Sequence, residues 1–211
     1  MKIVAISDTH LEYLKMDIPD GDVFIHAGDI DVYDASGLSM FNGWLGKLPH
    51  KHKLVIGGNH DSFLVGNYNL VQAMLTNAKY LENEQYIIDG VKFWGSPITP
   101  TFNDWHFMAD RGDDIKQYWD MIPDETDVLI THGPPQGIMD VPSLPSGNKG
   151  EHVGCWDLMQ AINRVKPKVH LFGHIHEQKD TQFKHGVWFY NVGVLDEYYV
   201  LTEKATVIDL C

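Results

Sequence analysis

Five short, β-branched runs in this chain each hand over to a polar loop rich in Gly, Asp and His, and that repetition constrains the fold more than any other feature. Lys2–Ile6 (KIVAI) is followed by Ser7-Asp8-Thr9-His10. Asp22–Ile25 (DVFI) runs into His26-Ala27-Gly28-Asp29, and Leu54–Ile56 (LVI) into Gly57-Gly58-Asn59-His60-Asp61. Asp127–Ile130 (DVLI) ends in Thr131-His132-Gly133-Pro134-Pro135, and Lys168–Phe172 (KVHLF) in Gly173-His174-Ile175-His176. Short apolar runs bounded by turn residues read as buried strands.

Helical patterns lie between them. Asp34–Leu48 places Leu38, Phe41, Trp44, Leu45 and Leu48 near a 3.6-residue period. Tyr68–Ala78 and Asp110–Met121 read the same way, and Trp156–Val165 follows Gly154 and stops before Pro167. Strands alternating with helices predict an α/β fold, a largely parallel or mixed sheet with helices packed on its faces. Gln85–Gly95 departs from that rhythm, because Asp89-Gly90 between two β-rich runs predicts a hairpin. Val187–Tyr190 and Ala205–Leu210 also read as strands, so the C-terminal part is richer in β than a simple doubly wound fold.

In open α/β sheets, ligands bind beyond the carboxyl ends of the strands. All five polar loops sit at that end, so strand polarity alone gathers Asp8, His10, Asp29, Asn59, His60, His132, His174 and His176 along one edge. Each fragment alone has an ordinary structural reading. An Asp after Gly is commonly a turn former, and a histidine in a loop is commonly a surface residue. Five such fragments, each following a strand, outweigh those separate readings. Asp8, His10, Asp29, Asn59, His132, His174 and His176 offer imidazole, carboxylate and one amide oxygen, and no thiolate. Structural zinc usually takes thiolate and closes its shell. A mixed N/O set suits Mn, Fe, Zn, Co or Ni in a catalytic role without choosing among them. Seven donors are too many for one tetrahedral ion and suit two divalent ions sharing a carboxylate.

Length and charge set the outer limits. A chain of 211 residues is expected to form one domain over 1–211, and it is long enough to do so without a disulfide framework. Its two cysteines, Cys155 and Cys211, make none. A net charge of −13 argues against general nucleic-acid binding. It leaves room for a small anionic substrate, because bound cations reverse the local sign. The opening apolar run is too short for a signal-peptide core, and no stretch approaches the roughly 20 apolar residues of a membrane helix. The expected location is the cytoplasm, with no membrane partner.

The loop residues also carry a resemblance. Asp8-Thr9-His10, Gly28-Asp29, Gly58-Asn59-His60-Asp61, Thr131-His132-Gly133 and Gly173-His174-Ile175-His176 resemble, in order and spacing, the motifs of the calcineurin-like metallophosphoesterase superfamily. Phe41–Pro49 (FNGWLGKLP), Leu75–Glu82 (LTNAKYLE), Ile130–Pro135 (ITHGPP) and Val153–Glu177 look like a narrower group within it, the metallophosphoesterase-domain family whose animal members are brain-associated phosphodiesterases. The resemblance implies a four-layer α/β/β/α sandwich of two mixed sheets flanked by helices. It implies one metal on Asp8, His10, His176 and Asp29, a second on Asn59, His132 and His174, and Asp29 shared between them. It places His60 beside the metals without binding one; His60 is then the candidate general acid for the leaving alkoxide, and Asp61 could orient it by hydrogen bonding. Asp31 lies near the position of a further family acid but out of register, and takes no role.

The expected activity is phosphodiester hydrolysis by a hydroxide that two metals activate, manganese favoured, on cyclic nucleotides or related small phosphodiesters. A phosphomonoesterase or protein phosphatase of the same superfamily is the nearest alternative, and a non-catalytic scaffold a more distant one. Of the other histidines, His26 could support the site from behind. His170 reads as core, His50, His52 and His185 as surface, and His106 and His152 as loop residues that could approach a substrate. Trp94, Phe102, Trp105 and Phe107 read as core packing by default, with a platform for a nucleobase as the sharper reading. Asn191 follows a strand and could reach the site. The proline-rich loop Gly133–Gly154 could cover the site or carry specificity.

Overall fold

In the computed structural model, which describes residues 1–143 and 150–210, two sheets stack with helices on their outer faces. The first contains β1 (Lys2–Ile6), β2 (Val23–Ala27), β3 (His52–Ile56) and β4 (Lys79–Tyr80), all parallel, with β13 (Thr206–Asp209) antiparallel on the outside of β1. The second joins β5 (Glu84–Ile88), β6 (Val91–Ser96), β9 (Val128–Thr131), β10 (Val169–Phe172), β11 (Thr181–Lys184) and β12 (Val187–Asn191). Its order is β11-β12-β10-β9-β6-β5, with the middle four parallel and both edges antiparallel. Both sheets are therefore mixed, and each keeps a parallel centre. A small ribbon pairs β7 (Thr99–Pro100) with β8 (Met108–Ala109).

The core follows from side-chain alternation. Ile3, Ala5, Val23, Ile25, Leu54, Ile56, Phe93, Val128, Ile130 and Leu171 fill the space between the sheets. The other faces of the same strands carry Val4, Ile6, Phe24, Val55, Trp94, Leu129 and Phe172, which belong to the cluster that also takes in the helices. Strands buried on both faces read as continuous apolar runs, which is why β1, β2, β3, β9 and β10 stand out in the sequence. Glycine at 95 serves the sheet contact, since a Cβ there would run into Leu81 and Ile56 at 2.7 and 2.9 Å.

The helices are α1 (Ala35–Leu45), α2 (Tyr68–Met74), α3 (Asp113–Asp120) and α4 (Trp156–Val165). Asp34 caps α1 by accepting from the Gly37 N–H at 2.8 Å, so it stands just outside the helix that the apolar pattern began there. Gly112, at φ 87°, starts α3 later than expected. The hairpin forms at Asp89-Gly90, both at positive φ (48° and 84°), the conformation of a type I′ turn. Among the described residues no helix is long and apolar enough to cross a membrane. The middle of the Gly133–Gly154 loop and Cys211 lie outside the described residues.

His50 corrects one expectation. It is 2% exposed rather than on the surface, and its ring packs 5.5 Å from Phe24 and against Gly21. Burial pushes its pKa down.

Candidate metal centre

The loops after β1, β2, β3, β9 and β10 converge where the two sheets meet. Three groups of donors form there, each with ligand atoms within 4.8 Å of one another: Asp8, His10 and His176; Asp29, His132 and His174; and His10, Asp31 and His60. The third lies wholly on loops of the first sheet, and the first two take residues from both sheets. Asp29 reaches both, with Oδ2 3.7 Å from His10 Nε2 and Oδ1 3.4 Å from His132 Nε2. Asn59 Oδ1 lies 2.9 Å from His132 Nε2. The loops that the sequence places at one strand edge do come together.

The backbone here is bent out of ordinary regions. Asp8, His10, Asp29 and His174 all have φ between 41° and 69°. Asp and His tolerate the left-handed region better than most residues, and such strain clusters at functional sites. Glycines allow the close approach that packs the carboxylates in. A Cβ on Gly173 would overlap the Asp8 carboxylate, and one on Gly58 would overlap that of Asp29. The His174 N–H then donates to both Asp8 oxygens at 3.0 and 2.9 Å, and the His60 N–H to Asp29 Oδ1 at 2.9 Å.

Hydrogen bonds fix the tautomers of three rings. His132 Nδ1 donates to the Ala27 carbonyl at 3.0 Å, and His176 Nδ1 to the Asp196 carbonyl at 3.0 Å. His10 Nδ1 donates to Asp31 Oδ1 at 2.9 Å. In all three the Nε2 atom points toward the acidic centre, and His10 Nε2 is buried with no hydrogen-bond partner. An imidazole with one nitrogen tied outside and the other turned inward is arranged as a metal-binding ring is. The donor chemistry thus fits divalent ions.

The electrostatics agree. Burial opposes charge on Asp8, yet the His176, His132 and His10 rings outweigh it and hold the carboxyl well below the usual range. Burial also opposes charge on His132, but Asp29 and Asp8 overcome it and lift its pKa to about 9. His176 rises to about 9 against its own burial through Asp8. His174 instead falls to about 4, through burial and the neighbouring His132. The buried acids draw positive charge into the centre, and protons on His132 and His176 supply it where no cation is bound.

Asp61 has a different task from the one expected. Its carboxylate accepts from the N–H groups of Gly58 (2.8 Å), Asp29 (3.0 Å), Ile30 (3.1 Å) and Val32 (3.0 Å). Both oxygens are occupied by backbone, so they shape the Asp29 loop rather than orient the His60 ring. The acid near that ring is Asp31, whose Oδ1 lies 3.7 Å from His60 Nδ1 while bonded to His10. Spacing does not single out Asp31. It stands at φ 71°, and its side-chain direction follows from that turn.

The surrounding residues sort as follows. His26 is fully buried and exchanges contacts with Thr9 Oγ1 (3.0 Å) and the Gly28 N–H (3.3 Å), behind the centre; burial pushes its pKa to about 3. His170 is buried on Thr131 Oγ1 at 2.8 Å, as a core residue. Asn191 donates to the Ile175 carbonyl at 2.8 Å and so holds the His174–His176 turn. His152 pairs with buried Asp140 at 2.6 Å, and neither it nor His106 lines the cavity. Trp94 and Phe107 are core, at 1% and 7% exposure, whereas Phe102 and Trp105 line a cavity of about 470 Å³ over the centre. Tyr199, unsuspected from the sequence, lines it too.

The calcineurin-like phosphoesterase family profile matches residues 1–178, which include every one of these loop motifs. The chain belongs to that family. This calcineurin-like phosphoesterase is 36% identical over 235 aligned residues to human metallophosphoesterase domain-containing protein 1, covering 99% of this chain and 71% of the human one. Solved structures share its fold at low identity. The phosphopantetheinyl hydrolase PptH of Mycobacterium tuberculosis superposes with a TM-score of 0.59 at 15% identity, over 94% of this chain and 90% of that one. The protein TT1561 of Thermus thermophilus does so with a TM-score of 0.57 at 14% identity, over 91% and 88%.

Proposed function

We propose that this chain hydrolyses small phosphodiesters, cyclic nucleotides foremost, with two divalent metal ions bound by Asp8, His10, Asp29, Asn59, His132, His174 and His176. The observation that carries this reading is the fixed orientation of three imidazoles, each with Nδ1 tied away and Nε2 turned toward Asp8 or Asp29. Asp8, His10 and His176 would hold one ion, Asn59, His132 and His174 the other, and Asp29, which reaches both groups, would serve each. Bound there, divalent ions would supply Lewis acidity toward phosphate oxygens and a water with its pKa lowered to about 7.

The chain's own groups do the rest. Asp31, Asp196 and the Ala27 carbonyl hold the three rings in register. Asp8, Asp29 and Asp31 leave two dications incompletely neutralised, so an anionic phosphate is drawn to an otherwise acidic protein. His60 is half-buried, its backbone N–H tied to Asp29 and its ring between Trp105 and Asp31. From there it would donate a proton to the leaving oxygen. The preference for diesters is supported by the likeness of Phe41–Pro49 and Val153–Glu177 to the phosphodiesterase-bearing group.

The test is hydrolysis of bis-p-nitrophenyl phosphate by chelated protein before and after Mn²⁺ is restored, followed by 2′,3′-cyclic, 3′,5′-cyclic and monoester nucleotides. Mn²⁺-dependent turnover that favours a cyclic diester is expected. No hydrolysis with two ions bound would overturn the enzymatic reading in favour of a scaffold.

A further inference from the structure

Three aromatic rings stand around the candidate metal centre, and between them they cover four of its histidines. Trp105 lies over His60, centroids 4.2 Å apart and planes 30° from parallel. Phe102 meets His174 at 5.1 Å, near edge-on. Tyr199 meets His10 at 4.7 Å and His176 at 5.2 Å. They come from separate parts of the chain, Phe102 and Trp105 from the β7–β8 connection and Tyr199 from the turn after Leu195. That turn is built to present its ring. Asp196 accepts from the N–H groups of Tyr198 and Val200 through its side chain and of Tyr199 through its carbonyl, all at 2.9 Å, and Tyr199 stands at φ 60°. A bulky residue held at positive φ stores strain that its surroundings must sustain.

Core aromatics in this chain are nearly all covered, but these three are 36%, 41% and 52% exposed and line one cavity. Its volume of about 470 Å³ lies in the usual small-ligand range of roughly 300–1,000 Å³. Pro100, Pro134, Val153 and Ile175 complete its apolar wall. Its charged lining beyond the metal donors is Glu177, Glu197 and Arg111. The Arg111 guanidinium donates to the carbonyls of Gly154 (2.7 Å) and Val153 (2.5 Å), so it is engaged in holding that loop. A second phosphate placed here would meet carboxylates. A neutral, flat group would meet ring faces.

We propose that Trp105, Phe102 and Tyr199 form a slot that selects phosphoesters carrying a neutral, planar aromatic substituent beside the reacting phosphate. This rests on the phosphoesterase reading and specifies its substrate. Trp105 and Phe102 are the selecting walls. Stacking on an aromatic side chain is tolerant of ring identity because every base has a π-face. The shared chemistry is a planar ring, whether of a nucleobase or of a simple aryl ester.

The test compares kcat/KM of the Mn²⁺-loaded full chain with that of Trp105→Leu and Phe102→Leu on three diesters: a 2′,3′-cyclic nucleotide, bis-p-nitrophenyl phosphate and a glycerol alkyl diester. Taking each variant against the parent on the same substrate cancels leaving-group differences. The ring-bearing substrates are expected to fall further than the alkyl one, by on the order of tenfold, the scale of one lost stack. A fall confined to the nucleotide identifies a nucleobase slot, and one confined to the aryl ester an aryl slot. An equal fall on all three would mean that the rings only support His60 and His174, and overturns the proposal. A second readout does not depend on turnover: quenching of tryptophan fluorescence by adenosine monophosphate in chelated protein. Quenching lost in Trp105→Leu supports the slot even if no ester is hydrolysed, in which case the phosphoesterase reading alone fails. Quenching absent from the parent, or unchanged in the variant, overturns the slot.

Discussion

Replacing Asp61 by Asn removes little volume and a charge that burial and the neighbouring Asp29 oppose, pushing its pKa up to about 7, yet the lost backbone acceptors predict a net loss of stability. Oδ2 accepts from Gly58 and Asp29, Oδ1 from Val32 and Ile30, and the side chain is fully buried. An amide has one oxygen. With its NH₂ in the Oδ2 position it faces Gly58 and Asp29, and both lose their acceptor; in the Oδ1 position Val32 loses its acceptor while Ile30 keeps the other oxygen at 3.3 Å. A buried donor left unsatisfied costs about 1–3 kcal/mol. One or two of them cost about 1–6 kcal/mol, against a total stability of about 5–15 kcal/mol for a domain of ordinary size. Urea unfolding of chelated parent and variant measures the difference, with chelation needed because bound metal would add its own stabilisation. The midpoint should drop with the slope unchanged. A loss below about 1 kcal/mol would refute the backbone assignment. If such a well-folded variant had also lost turnover by a hundredfold, Asp61 would be acting on the reaction rather than on the Asp29 loop.

Other substitutions probe the centre itself. Asp29→Ala should lose metal from both positions, and elemental analysis showing two retained ions would contradict the shared carboxylate. His60→Ala should keep both ions and lose about 10²–10⁴-fold on esters with poor leaving groups; a full rate on such a substrate removes its acid role. Asp31→Ala should weaken metal binding about 10–100-fold, the usual effect of cutting a ligand's outer hydrogen bond, and unchanged affinity in a chelator titration would refute it. The pH dependence has a definite sign. His132 and His176, raised to about 9 in the metal-free protein, stabilise it fully below about 6.5, and that contribution is lost as pH rises through 9. His26 and His170, both pushed to about 3 by burial, act oppositely: their contribution is present above about 6.5 and lost as pH falls toward 3. Thermal unfolding of chelated protein should therefore weaken on both sides of about pH 6.5, and added Mn²⁺ should offset the alkaline loss. A stability that kept rising to pH 9 without metal would contradict these shifts.

Much of the fold was legible because its central strands are buried on both faces. KIVAI, DVLI and KVHLF carry that signature, and the Asp89-Gly90 turn fixes its hairpin by backbone geometry. Strands β4, β7 and β8 are two residues long and leave no periodicity to read. Strand β11 escapes the pattern because an exposed edge, with only Gln182 half-buried, makes no apolar run. Tyr68–Ala78 keeps its helical pattern beyond Met74, but the chain turns at Leu75, where ψ is 64°. In the centre, loop motifs located the donors because strand polarity alone gathers them. Side-chain direction was not in the spacing. Asp31 and Asp61 differ in role because one follows a left-handed turn toward the rings and the other faces backbone amides. Tyr199 lies far along the chain from any motif, and only the folded Asp196 turn brings it back.

Two of the three donor groups draw on both sheets, Asp8 and His10 with His176, and Asp29 with His132 and His174. The amino-terminal half brings every carboxylate donor and the carboxy-terminal half most of the imidazoles. Neither half alone completes the Asp8–His10–His176 or the Asp29–His132–His174 group. The centre is thus a clasp, closed only after the two sheets have docked. The same arrangement suggests a use. Split after Leu81, two fragments would meet along the apolar space between the sheets and the β1–β13 pairing, and only their reassembly would rebuild these two groups.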